Sequence, residues 1–386
     1  MKIGYMYRMH VSPPKGGNHV HALELVQGFL KEGHQVHLLE DPTVPGAVSF
    51  SGATDEDLRS FATSVDVLYI RVDARHLGKW PAVEACMRFA GDRPIVWEIN
   101  APANESLAFS WLGGRRLNVK ESMLKLLKRR IHALRQMPGI WKEERLRRLL
   151  GKRVDTAICV STALQGYAQK KLGIQNSIAL PNGGPLIPLE EIEQRRAKRT
   201  SDQFTVFYSG SAVYPWQGLD ILGSVISLAR KKAPDIRFVL AVNQTTEFIP
   251  EGDNVLICQG LDRQGILDAI CSSDVCVALH PDYPWSPWGF HNSPMKLFEY
   301  MACMVPVVTS NRGQMSELIR HRENGLLCSV SAEDVLAQLK TIRDNPEFAQ
   351  ELGNAGWQMI QNGRSWPDNV TETLKVFSRL LEEREC

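Results

Sequence analysis

The residues best suited to chemistry in this 386-residue sequence lie in SPMKLFEYMA, Ser293 to Ala302. Ser293 suits a helix N-cap and Pro294 the first helical position. A helix starting there offers free backbone N–H groups and the positive end of its dipole, which suits the phosphates of a nucleotide. Lys296 in the first turn opposes the dipole, and a nearby anion relieves it. Glu299, one turn deeper, presents a carboxylate that can accept both hydroxyls of a ribose. Each residue alone is ordinary, since Ser-Pro helix starts are common and a lone Glu is usually solvated. As one string between two apolar strands, they point to a ligand.

Other candidates sit elsewhere. Gly16 and Gly17 follow the first strand and precede a helix, so backbone there can approach a ligand closely; the spacing is not GxGxxG, which argues against a dehydrogenase. In IVWEINAPANES, residues 95 to 106, an apolar strand ends in Glu98, Asn100, Asn104 and Glu105. Polar side chains at the carboxyl end of a parallel strand face the ligand crevice of an open α/β sheet. Arg71, Asp73, Arg75 and His76 form a second polar cluster, which reads as an ordinary loop. His10, His19 and His21 do not suggest a metal, because His-x-His on a helix does not put both rings on one face. The loop HPDYPWSPWGFHN, His280 to Asn292, gathers two Trp, a Tyr and a Phe among prolines and is expected to form one wall of a sugar pocket.

These residues need a scaffold. Strand-length apolar runs alternate with helical patterns, which predicts parallel sheets with helices on both faces. In the first half the strands are 2 to 7, 36 to 39, 65 to 70, 94 to 99 and 156 to 160, with a helix over 19 to 33 ended by Gly33. In the second they are 204 to 210, 236 to 242, 254 to 260, 274 to 279, 306 to 310 and 325 to 328. ALPNGGPLIPLEEIEQRRAKRTSDQ between them reads as a connection rather than an element. Two Rossmann-like halves follow, 1–185 and 200–364, with an amphipathic helix over 365–386. No solenoid repeat or low-complexity segment intervenes.

Composition excludes several classes. The start lacks signal-peptide character, no apolar stretch is long enough to span a bilayer, and the eight scattered cysteines include no CxxC pair. Neither zinc nor a disulfide framework is suggested, and a cytoplasmic location is expected. The net charge of +2 hides a block from Arg115 to Arg153 with fourteen Lys or Arg against three Glu. Leu124, Leu126, Leu127, Ile131, Leu134 and Trp141 interleave with it, as an interfacial helix on the inner membrane face requires; a solvated basic helix is an equally good reading, and nucleic acid a weaker one.

SPMKLFEYMA followed by PVVTSNRGQMSELIRHRENGLL resembles the donor-site signature of family 4 glycosyltransferases. So, in the expected order, do GGNHVHALELVQGFLKEGHQVHLL, VSTALQGYAQKKLGI with LPNGG, and FYSGSAVYPWQGLDIL. The resemblance implies the GT-B fold of two facing Rossmann-like domains, a last helix that returns to brace the first domain, and transfer of a sugar from a nucleoside-diphosphate donor. It implies retention of anomeric configuration, no catalytic metal and no cofactor. The acceptor, a glycan, a lipid-linked molecule or a small molecule, would be held mainly by the first domain. On this likeness Glu299 binds the ribose, Ser293, Pro294, Met295, Lys296 and Leu297 surround the diphosphate, and Gly16 and Gly17 face it from the other side. Gly210, Ser211, Gln217 and Leu261 complete the donor site. Three departures stand out: His291 replaces a first glutamate, and Ser211 and Gln217 replace an Arg and a Lys that neutralise the leaving group. Losing two such cations removes several kcal/mol, by order of magnitude, unless others substitute. On the acceptor side, where relatives often carry a His, Glu98 and Asn100 are the nearest matches, so His291, Asn100 and Glu98 are the catalytic candidates. A catalytically silent nucleotide-binding subunit and a GT-B sugar epimerase are the alternatives.

Overall fold

The computed structural model describes residues 1–14, 16–74, 76–111 and 123–385. Arg75 of the polar cluster and the basic block before Met123 lie outside these residues.

Two parallel sheets organise the chain. The first contains β1 (Lys2–Met6), β2 (Gln35–Leu39), β3 (Val48–Phe50), β4 (Val67–Val72), β5 (Ile95–Ile99), β6 (Thr156–Cys159) and β7 (Ser177–Ala179), in the order 3-2-1-4-5-6-7. The second contains β8 (Thr205–Gly210), β9 (Arg237–Val242), β10 (Val255–Cys258), β11 (Val275–Ala278), β12 (Val307–Ser310) and β13 (Leu326–Cys328), in the order 10-9-8-11-12-13. Central strands such as VLYIRV and VCVA are buried along their whole length, because helices cover both faces.

Each sheet has a switch point where strand order reverses, between β1 and β4 and between β8 and β11. Ligand crevices form at the carboxyl ends of such strands. The loops there carry Gly16 and Gly17 after β1, Ser211 and Gln217 after β8, and the long loop from Leu279 to Pro294 after β11.

The first helix runs Gly17–Lys31 and ends as expected: Gly33, at φ 81°, donates to Leu30 O while His34 donates to Phe29 O. The helix Trp366–Glu385 returns to the first sheet, where Val370, Val376, Phe377 and Leu380 are buried with Phe29 and Tyr69. It lies so close that a Cβ on Gly28 would meet Val370 Cγ2 at 2.3 Å.

The connecting segment is more structured than expected. It contains a helix, Leu189–Arg196, that buries Ile192 and ties Arg195 to Glu191 and Asp268, and its first residue, Ala179, is the last of β7. The chain crosses between the sheets twice, and the crossings pair with each other: Gly184 N donates to Arg364 O and Trp366 N to Gly184 O. A Cβ on Gly183 would sit 2.6 Å from the Ser365 carbonyl carbon, so the contact requires glycine.

Candidate functional site

The helix Met295–Ala302 begins one residue later than the sequence suggested. Pro294, at φ −72° and ψ 105°, occupies the N-cap position and Met295 the first helical one. Ser293 is therefore not the cap. Its hydroxyl accepts instead from Asn182 N at 3.0 Å, and Asn182 Nδ2 donates to Ser293 O at 2.8 Å. The LPNGG loop thus holds the start of this helix from the opposite half.

Two helix N-termini meet here. A Cβ on Gly17 would lie 3.2 Å from Met295 Sδ, so the first helix begins in van der Waals contact with the second one. Space around Gly16 is open, with nothing within 4 Å of its Cβ position. The third N–H of each helix turns back to its cap residue, His19 to Gly16 O and Leu297 to Pro294 O. This leaves the N–H groups of Gly17, Asn18, Met295 and Lys296 without intrahelical acceptors, and both dipoles present their positive ends.

Lys296 is buried beneath this junction. Its Nζ donates to Gln217 Oε1 at 2.6 Å and lies 4.2 Å from the Tyr208 ring centroid. Burial pushes its amine down to about 7, with the Glu299 charge opposing. A Cβ at Gly210 would sit 2.5 Å from Tyr208 OH, 2.8 Å from Gln217 Oε1 and 2.9 Å from Lys296 Nζ, so a side chain there would displace this cluster. Ser211 is half-buried next to it, with its hydroxyl accepting from Val213 N. Glu299 lies one turn on, half-buried; burial raises its carboxyl above the usual value, with Arg263 and Lys296 acting against the rise. Arg263 also spans the two halves, 2.7 Å from Glu24 Oε1. Leu261, two residues before it, is exposed.

Leu297 departs from its expected place at a ligand surface. Its side chain is fully buried in the core of the second half, and its N–H donates to Pro294 O.

Glu98 and Asn100 also differ from expectation. Glu98 is the penultimate residue of β5, near its carboxyl end, but its side chain is buried and 1% exposed rather than open to the crevice. Arg71 Nη1 donates to its Oε1 at 3.0 Å, His21 Nε2 lies 2.9 Å from the same oxygen, and Tyr5 OH donates to Oε2. Burial alone would raise the Glu98 carboxyl, but the His21 and Arg71 charges outweigh it and hold it at about 2. Asn100 is half-buried and donates to the same carboxylate. Arg71 is not a loop residue but a buried member of β4. His21 Nδ1 lies 2.6 Å from Asn182 Oδ1, so polar contacts run without a break from Arg71 through Glu98, His21 and Asn182 to Ser293.

His291 is fully buried. Its Nδ1 lies 3.2 Å from Gly289 O, and Ser161 donates to its carbonyl from the first half. Its Nε2 lies 3.5 Å from Glu105 Oε1, which also accepts from Asn292 Nδ2 at 3.3 Å. A carboxylate therefore does stand beside position 291, delivered by the other half.

The aromatic loop does not line a pocket. Tyr283, Trp285 and Phe290 are buried in a core that also takes in Ala103, Leu107 and Ala108 of the first half, with rings 4.4 and 5.1 Å apart, and Trp288 packs edge-on against Tyr167 of the first half. The loop must bridge β11 and the Met295 helix, and its rings supply that packing. The exposed aromatic surface lies elsewhere. Tyr214 stacks on Trp216 at 4.7 Å and Phe109 of the first half meets Trp216 at 5.6 Å, with Phe109 and Tyr214 both exposed.

Tyr208, Arg263 and Asn182 were not singled out from sequence as site residues; the signals were the positions of Asn182 in LPNGG and of Tyr208 in FYSG, and Arg263 had none. Among the described residues, no group of three or more His, Cys, Asp or Glu is placed to hold a metal ion.

Residues 203–345 match the family model for glycosyl transferases group 1. No curated protein is matched by sequence. Among solved structures, sucrose-phosphate synthase from Thermosynechococcus elongatus is similar at a TM-score of 0.68 and 14% identity, covering 99% of both chains. HepE from Anabaena, in complex with UDP and glucose, is similar at 0.69 and 15%, covering 98% of this chain and 100% of that one. A glycosyltransferase from Rickettsia africae is similar at 0.66 and 13%, covering 98% of each. The chain has the GT-B fold of these glycosyltransferases, and its second half carries the match to group 1.

Proposed function

We propose that the chain transfers a sugar from a nucleoside-diphosphate sugar to an acceptor bound on the side of the first sheet, with retention of configuration and without a metal. The observation that carries this reading is the meeting of the Gly17 and Met295 helix starts directly above Lys296 and beside Glu299. Two positive dipole ends and a buried ammonium suit a diphosphate. Glu299 takes the ribose hydroxyls, and Leu261 and Arg263 flank the base. Lys296, held by Gln217, supplies leaving-group charge that Ser211 and Gln217 cannot.

In the transfer, the bond from the anomeric carbon to the phosphate oxygen breaks and a bond to the acceptor oxygen forms on the same face. The acceptor proton passes to the departing phosphate. No enzymic base is required, which accords with a buried Glu98. That residue acts as a positioning residue, holding His21 and Asn182 and through them Ser293. Glu105 is the group offered to the donor sugar, with the buried His291 ring behind it as its positioning partner. The exposed Phe109 and Tyr214 rings, with the half-buried Trp216 between them, offer a stacking surface for an acceptor. A cytoplasmic setting is part of the proposal; the seven cysteines among the described residues are free thiols, as a reducing compartment keeps them.

A thermal-shift panel of nucleoside diphosphates and nucleotide sugars, starting with the uridine series, tests the donor site. One nucleotide should stabilise the wild type and fail to stabilise Glu299→Ala. No response in the wild type, or an equal response in the variant, overturns the assignment. Release of free nucleoside diphosphate on adding acceptor separates transfer from silent binding. Silent binding is the second reading, because Gln217 occupies Lys296 in this structure.

A further inference from the structure

The helix Met123–Gly151 has two unlike faces. On one, Ala133 and Met137 pack on the core, Ile140 and Leu150 are buried, and Glu143 accepts from Leu77 N and Gly78 N. Arg147 donates to the carbonyls of Ala101 and Asp73, at the carboxyl ends of β5 and β4. This half of the helix is fixed to the loops that open on the cleft.

The opposite face is exposed and apolar. Leu124, Leu127, Ile131, Leu134 and Trp141 are 41% to 69% exposed. They recur in steps of three and four, with Pro138 filling the step between Leu134 and Trp141, and so form one continuous stripe. Leu126 turns to the packed side instead. Exposed Lys128, Arg135 and Lys142 run along one edge of the stripe, and exposed Arg130 and Arg148 along the other. The described acids of the helix, Glu143 and Glu144, lie off this face: Glu143 is buried and Glu144 accepts from Tyr167 OH. Each exposed leucine on a soluble surface is ordinary, but an unbroken stripe of five with a cationic border on both sides is not.

We infer that this face docks on an anionic lipid surface, with the helix lying in the plane of the membrane. The stripe reaches the boundary of headgroups and acyl chains, the basic borders meet lipid phosphates, and Trp141 takes the interfacial position such rings favour. No described helix is long and apolar enough to cross a membrane, so the contact is in-plane. A second copy of the chain does not suit the face. With both borders basic, parallel or antiparallel pairing sets like charges together. Nucleic acid would meet the borders and leave the leucines and Trp141 uncovered. Docking sets the loops after β4 and β5 at the membrane, on the side where an acceptor is proposed to bind, yet it stands apart from the transferase reading and is tested without turnover.

The full chain is sedimented with vesicles of phosphatidylcholine alone and of phosphatidylcholine mixed with phosphatidylglycerol, at low and high salt. Binding is expected to the mixed vesicles, to be weak without phosphatidylglycerol and to fall with salt. Leu127→Glu/Ile131→Glu should weaken partitioning about tenfold or more. Lys128→Ala/Arg135→Ala/Lys142→Ala should weaken it by roughly tenfold to a hundredfold at low salt and flatten the salt dependence. Both variants alter exposed residues, so an unchanged melting temperature shows that they fold. The inference is overturned if the wild type ignores the mixed vesicles, or if the two-glutamate variant binds them equally. It is equally overturned if light scattering shows a wild-type dimer that this variant dissolves while vesicle binding is absent.

Discussion

Replacing Lys296 with methionine should make the protein more stable and worse at holding a diphosphate, and both effects should depend on pH. Burial lowers the Lys296 amine to about 7 from an ordinary 10.5. Below the folded value the ammonium is charged in both states, and folding must desolvate it. Above the unfolded value it is neutral in both. The unfolded chain binds more protons between these limits, so wild-type stability rises from about pH 7 to about pH 10.5. The full shift corresponds to roughly 5 kcal/mol. Lys296→Met also removes the bond to Gln217 and the contact with Tyr208, together about 2 kcal/mol. The variant should therefore gain about 3 kcal/mol near pH 6 and lose that advantage toward pH 10.

Binding carries the opposite sign. A diphosphate beside Nζ restores the amine toward its ordinary value, so the complex takes up close to one proton above pH 7. Affinity should fall by up to about tenfold per pH unit there. Glu299, Gln217, Tyr208 and His280 surround the amine, and His280 is itself held at about 3, first by burial and then by Lys296. Gln217 does not titrate and burial pushes the Tyr208 hydroxyl up, out of this range; burial raises the Glu299 carboxyl as well, so comparison with Lys296→Met is what assigns the proton to Lys296. Calorimetry of nucleoside diphosphate binding in two buffers of different ionisation enthalpy counts the protons. Uptake that persists undiminished in Lys296→Met, or its absence in a wild type that binds, refutes the reasoning.

Three other perturbations probe the surroundings. Glu98→Gln leaves Arg71 buried beside a neutral amide and should cost about 3 to 5 kcal/mol in denaturant unfolding. Because the Glu98 carboxyl sits at about 2, its contribution is complete above about pH 4.5 and fades as pH falls toward 2, so the variant should show a flatter acid limb. His291→Glu should not improve transfer. It sets a second carboxylate about 3.5 Å from Glu105, a repulsion of roughly 5 kcal/mol at an effective dielectric of about 20, which Glu105→Gln should relieve in a double variant assayed for nucleotide release. Gly28→Ala drives a methyl into Val370 and should lower stability by about 1 to 3 kcal/mol, read as a fall in melting temperature.

The alternation of apolar runs and helical patterns located eleven of the thirteen strands to within a few residues, including the short edge strand β13, which buries Leu326 and Cys328, because buried parallel strands leave unbroken apolar runs. β3 and β7 escaped notice: each has three residues at a sheet edge and buries too little to leave a pattern. Leu189–Arg196 was hidden because one buried isoleucine and the ties of Arg195 to Glu191 and Asp268 hold it, not an amphipathic run. Within the site, neighbours in sequence were legible and distant partners were not. Lys296 and Glu299 share one helix, but Glu98 looked like a crevice residue until β1 and β4 brought Tyr5 and Arg71 to it. His21 meets Asn182, and Glu105 meets His291, across separations that no local pattern encodes. The aromatic loop misled for a related reason, since composition shows a ring's appetite for contact but not whether sugar or core satisfies it.

The paired crossings at Gly184 and Ser365 bear on how the two halves can move. Two separate tethers would let one half slide, twist or swing against the other. Stitched by backbone hydrogen bonds and with no room for a side chain at Gly183, they act as one narrow band. A band leaves rotation about its own line as the soft motion, much as a book opens along its spine. Rotation about that line would part the Gly17 and Met295 helix starts at a fixed register, and it would have to break the Ser161–His291 and Arg263–Glu24 contacts that also join the halves.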